Sequence, residues 1–104
     1  MLGPERIPEK GFYYHYKHDP NGPINNYAYE VIGTGLHTEE RSHVVIYKPL
    51  YENTFLEDLD YCVRPLPMFI EEVTKDDKTF LRFTRITDPD VIRKLESIKE
   101  ELYG

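Results

Sequence analysis

Tyr13, His15 and Lys17 alternate along the run Phe12-Tyr13-Tyr14-His15-Tyr16-Lys17. In an extended chain alternate side chains point to one side, so a phenol, an imidazole and an ammonium share a face. Arg64 and Arg82 complete the set. Arg64 precedes Pro65, which restricts its backbone to extended conformations. Arg82 interrupts the run Phe80-Leu81-Arg82-Phe83, where a guanidinium must find an anion or carbonyls to offset desolvation. Two forked guanidiniums, an ammonium and an imidazole together suit an anion, with Glu39 as their internal partner when no ligand is bound. The plainer alternative is that each arginine pairs with Glu30, Glu39 or Glu71 at the surface. Taken alone, the residue types favour that alternative.

The other candidates are weaker. Gly33-Thr34-Gly35 resembles the start of a dinucleotide loop, but it lacks a third glycine and no amphipathic helix follows, so it reads as a strand-ending turn. His37, Glu39 and His43 fit no metal-ligand spacing, and no metal or cofactor is expected. Cys62, flanked by Tyr61 and Val63, reads as a small inward hydrophobe rather than a nucleophile. No Gly-x-Ser-x-Gly elbow is present, and no catalytic residue is assigned.

These residues need strands to hold them. The chain has 104 residues, one domain's worth, and 14 are Tyr or Phe. Aromatic, β-branched runs at 12–17, 27–32, 43–48 and 61–63 predict short strands. The prolines at 65 and 67 should block a regular helix until Met68. Segments 69–73 and 79–85 flank Lys75-Asp76-Asp77-Lys78 as a hairpin. Residues 51–60 read as an acidic loop with room for one helical turn. Asp88 as cap, Pro89 in the first turn and Val91, Leu95, Ile98 and Leu102 on one stripe predict a terminal helix. The fold class is mainly β: a small barrel of about five short strands with a C-terminal helix. Residues 1–10 form an exposed lead-in, 11–86 the barrel and 87–104 the helix.

The net charge of −6 argues against phosphate-driven nucleic-acid binding, leaving a local basic patch as the exception. A single cysteine excludes an intrachain disulfide and fits a cytoplasmic location. No apolar run approaches the ~18 residues of a membrane span.

The ordered blocks Gly11-x-Tyr13-x-His15-Tyr16-Lys17, Tyr29-Glu30-Val31-Ile32-Gly33, His37-Thr38-Glu39, Val44-Val45-Ile46-Tyr47 with Leu50-Tyr51, Val63-Arg64-Pro65-Leu66 with Met68-Phe69, and Arg82-Phe83 resemble the domain of unknown function 1653 family. The resemblance spans roughly residues 11–86 and implies an SH3-like β-barrel in a mainly bacterial family. It implies no activity, substrate or cofactor. Two departures stand out. Cys62 occupies the place of a family tryptophan, and His18 opens a longer loop where the family has glycine. Because the family motifs fall on Tyr13, His15, Lys17, Glu39, Arg64 and Arg82, the resemblance shifts the balance towards a binding face.

The leading expectation is a module binding an anionic small molecule, nucleotide or peptide. One alternative is a small enzyme with His15 as general base. Another is an interaction protein that forms a homodimer through Val91, Leu95, Ile98 and Leu102.

Overall fold

The computed structural model describes residues 7–53, 56 and 60–104. The first six residues of the lead-in, and half of the segment 51–60 where a helical turn was expected, lie outside the described residues. Strands β1 (Gly11–His15), β2 (Ala28–His37), β3 (Ser42–Pro49) and β4 (Cys62–Pro65) come first. The short helix α1 (Leu66–Phe69) follows, then β5 (Glu72–Lys75), β6 (Lys78–Leu81), β7 (Phe83–Arg85) and helix α2 (Pro89–Tyr103). Five strands form one antiparallel sheet in the order β4-β3-β2-β1-β7, and β5 pairs with β6 as a separate hairpin.

The sheet curls into an SH3-like half-barrel, and side chains span its open side. Arg64 on edge strand β4 places its guanidinium carbon 5.4 Å from the ring centre of Phe83 on the opposite edge, β7. Alternation gives the concave face Tyr13, Tyr29, Val31, Val45, Tyr47 and Phe83, all buried. Helix α1 plugs this face with Leu66 and Phe69, and Phe69 stacks on Phe83 at 4.1 Å with the rings 4° apart. This helix starts earlier than the prolines suggested. Pro67 sits in its first turn, where a missing N–H leaves no hydrogen bond unmade.

The convex face carries Phe12, Ala28, Leu50 and Ile86, and α2 covers it. Leu95 is fully buried there, while Val91, Ile92 and Ile98 are half-buried against the same cluster. Asp88 caps the helix by accepting from the Asp90 N–H at 2.9 Å, and Gly104 ends it at φ 85°. Lys99 pairs with Glu30 at 2.9 Å, and the Tyr103 hydroxyl donates to the Pro49 carbonyl. A helix of this length is marginal alone in water, so the sheet stabilises it. Val91, Leu95 and Ile98 of the stripe considered for a homodimer therefore face the chain's own sheet.

Three other differences from the sequence reading come from contacts between segments. Strand β1 stops at His15, and the Tyr16 N–H turns to the Arg82 carbonyl at 2.9 Å. Lys17 thus lies in a turn, off the strand. Strand β2 runs through Gly33-Thr34-Gly35 instead of ending there. Its register shifts between Val31 and Gly33, so Ile32 is an inserted bulge residue. At Gly35 a Cβ would lie 3.3 Å from Ile46 Cδ1, so the glycine makes room within the sheet rather than for a phosphate. Arg82, expected mid-strand, sits at a bend between β6 and β7, where its N–H donates to the Glu71 carbonyl at 3.0 Å.

Among the described residues no helix is long and apolar enough to cross a membrane.

Candidate functional site

The end of β1 places His15 where β7, the β1–β2 connection and β4 meet. Its backbone N–H donates to the Tyr27 carbonyl at 3.0 Å. Its ring meets Phe83 edge-on at 5.1 Å and lies roughly parallel to Tyr27 at 5.7 Å. Nδ1 accepts the Lys17 backbone N–H at 3.2 Å, which assigns the proton of the neutral ring to Nε2. Burial, and then the positive charges of Arg64, Arg82 and Lys17, push the imidazole down to about 4. His15 is thus a neutral N–H donor over a wide pH range.

Tyr16 and Tyr27 flank it, and Tyr51, Tyr29 and Tyr47 continue from Tyr27 across the concave face. Tyr27 is 41% exposed and held at φ 51°, a left-handed conformation that a bulky residue rarely adopts. The Tyr29 and Tyr51 hydroxyls share a 2.6 Å hydrogen bond. Burial first, then that bond, push the Tyr29 phenol up, so it stays protonated. Tyr47 meets Tyr29 edge-to-face at 5.5 Å.

The two arginines are held differently. Arg82 donates from Nε and Nη2 to Glu71 Oε1, at 2.8 and 2.5 Å, so its charge is matched within the protein. Arg64 donates from Nε to the Tyr47 hydroxyl at a long 3.4 Å and lies over the Phe83 ring. Among the described residues no carboxylate lies within ion-pair distance of Arg64. A guanidinium held by a π face and one phenol keeps most of its donors available. Beside Arg64, burial pushes the Cys62 thiol up while the arginine pulls it back.

Phe83 gathers the cluster: the His15 ring lies 5.1 Å from its ring, the Arg64 guanidinium carbon 5.4 Å from it, and Arg82 precedes it in the chain. Lys17 follows His15 by two residues and donates its backbone N–H to the imidazole. The structure does not gather Tyr13 or Glu39 with them. Tyr13 is buried, edge-on to Phe69 at 5.7 Å, with its hydroxyl donating to the Glu9 carbonyl at 2.8 Å. It is a core residue with its polar end satisfied. Glu39 is exposed in the turn after β2, at the opposite end of that strand from Tyr27. Glu71 is the internal partner that Glu39 was expected to be.

The aromatic walls escaped the sequence reading. Tyr27, Tyr29 and Val31 follow the same two-residue alternation as Tyr13 and His15, and that signal could have found Tyr29. Tyr47 and Tyr51 meet it only through strand order, which no local pattern encodes. Among the described residues no group of three or more His, Cys, Asp or Glu can hold a metal ion, and His37, Glu39 and His43 do not converge as one.

The arrangement offers a guanidinium with no carboxylate partner among the described residues, a neutral imidazole N–H and ring faces, which can hydrogen-bond an oxyanion and stack a planar group. The fold and this surface define a class: a small SH3-like half-barrel with an aromatic, cationic concave side. Residues 11–85 match the family described as Protein of unknown function (DUF1653), and the chain belongs to that family. A crystal structure of a DUF1653 protein from Bordetella bronchiseptica is similar, with a TM-score of 0.59 and 27% identity, covering 75% of this chain and 86% of that one. Among curated proteins, none matches the chain.

Proposed function

We propose that the protein is a binding module whose concave side takes an anionic small molecule or a peptide carboxylate through Arg64, His15 and the surrounding rings. One observation carries this reading: the Arg64 guanidinium sits over Phe83 without a carboxylate partner among the described residues. A partly buried cation in that position gains from an incoming oxyanion far more than a solvated lysine does. The weak basicity of His15, and the use of its Nδ1 by the Lys17 N–H, favour binding over general-base catalysis. The packing of α2 on its own sheet favours this reading over dimerisation through the helix stripe.

Titration with AMP, benzoate and an acetylated dipeptide, followed in ¹H–¹⁵N spectra, tests the reading. At least one anion is expected to give saturable shifts at His15, Tyr27 and Phe83. Arg64→Ala is expected to weaken that binding about tenfold, equal to about 1.4 kcal/mol, with the spectrum otherwise native. If none of the three perturbs these residues, or if Arg64→Ala binds as well as wild type, the reading is wrong.

A further inference from the structure

A second cationic surface lies beside the first. Lys17, Lys75 and Lys78, with Tyr16, Phe80 and Asp76, line a groove of about 300 Å³ between the β1–β2 connection and the tip of the β5–β6 hairpin. Lys75 and Lys78 stand directly opposite each other across the hairpin, an arrangement of like charges that costs stability. Among the described residues no carboxylate lies within 4 Å of any of the three ammoniums. Asp76 supplies one opposing charge to the lining against three positive ones. Phe80 adds a ring 41% exposed. The groove adjoins the His15 cluster: the Tyr16 ring lies 4.5 Å from that of His15, and the Tyr16 N–H donates to the Arg82 carbonyl.

We propose that this groove is an oligophosphate subsite, holding the tail of a nucleoside polyphosphate whose planar part stacks beside His15 and Tyr27. Three compact ammoniums spread along one groove suit the several charged phosphoryl groups of an oligophosphate chain, whereas a single guanidinium fork suits one carboxylate or one phosphate edge. The placement of the planar part rests on the function proposed above, and the affinity of the groove for oligophosphate does not.

Inorganic tripolyphosphate, titrated at low salt into the full chain and into K75Q/K78Q, tests the groove alone. Saturable shifts at Tyr16, Lys17 and residues 75–78 are expected, with binding about tenfold weaker in the variant and weakening as salt rises. The variant removes an exposed like-charge pair, so the fold is expected to hold. Shifts spread over Lys10, Lys48, Lys94 and Lys99, or equal binding by the variant, overturn the subsite. ADP against AMP tests the junction. ADP is expected to bind about tenfold tighter than AMP in wild type, and the advantage is expected to vanish in K75Q/K78Q. If tripolyphosphate occupies the groove while ADP gains nothing over AMP, the junction with the His15 cluster is wrong and the oligophosphate site stands. If neither nucleotide shifts His15, the nucleotide placement fails separately. An octathymidylate that binds more tightly than ADP reassigns the surface to single-stranded nucleic acid and overturns the nucleotide assignment.

Discussion

At the level of single side chains, His15 links the cluster to the stability of the fold. Its imidazole takes a proton near pH 4 when folded and near 6.5 when unfolded. Between those values the unfolded chain binds more protons, so this contribution is complete above pH 6.5 and is lost as pH falls towards 4. His15→Gln keeps an N–H donor but cannot titrate. Its urea midpoint is expected to fall less steeply than that of wild type between pH 6.5 and 5, and parallel profiles contradict the account. Tyr27 makes the opposite trade. Its left-handed backbone costs roughly 1–2 kcal/mol in a residue with a Cβ. Tyr27→Gly is expected to hold or raise the melting temperature while weakening anion binding. A lower melting temperature with unchanged binding makes Tyr27 a structural residue instead.

At the level of elements, α2 and the sheet stabilise each other through one shared apolar cluster. Leu95 is its one fully buried residue, seated among Phe12, Ala28, Leu50 and Ile86. Leu95→Ala is expected to cost about 2–4 kcal/mol in urea denaturation, since the cavity it leaves is bounded by a hydrogen-bonded sheet that cannot collapse into it. A loss below that range means the helix shifts to fill the space. The helix was legible in sequence down to its cap, because Asp88, Pro89 and the apolar stripe all act within a few residues of one another. The Lys75–Lys78 hairpin was legible for the same reason, with Asp76 and Asp77 both at positive φ in a two-residue turn. What failed depended on distant partners. Gly33 and Gly35 looked like strand breakers because their neighbour Ile46 belongs to another strand. For Arg82 the plainer expectation held: it pairs with Glu71, one of the three surface glutamates named for it. The Lys75–Lys78 hairpin continues to bring residues 71 and 82 opposite each other, whereas Glu39 lies beyond the far end of β2. His15, Lys17, Arg64 and Arg82 were readable as residue types, but the tyrosines that enclose them come together only when β2 and β3 align.

Across the whole molecule, one sheet serves as the common wall of two separate apolar clusters, and the cationic surfaces occupy one side of an acidic chain. The family match ends at residue 85, before α2, although the convex surface that α2 covers includes Phe12, Ala28 and Leu50 from within the matched segment. The concave side has a property of another kind. The chain holds nine tyrosines and no tryptophan, and Tyr27, Tyr29, Tyr47 and Tyr51 are linked in that one cluster by ring contacts of 5.5–6.4 Å. With no indole to drain their excitation, near-ultraviolet emission and ellipticity come largely from phenols. The exposed Tyr27 connects through the half-buried Tyr51 to the buried Tyr29 and Tyr47, beside the place where an anion is proposed to dock. An anion that docks there as proposed is therefore expected to change the intrinsic light signal of the protein, without a label.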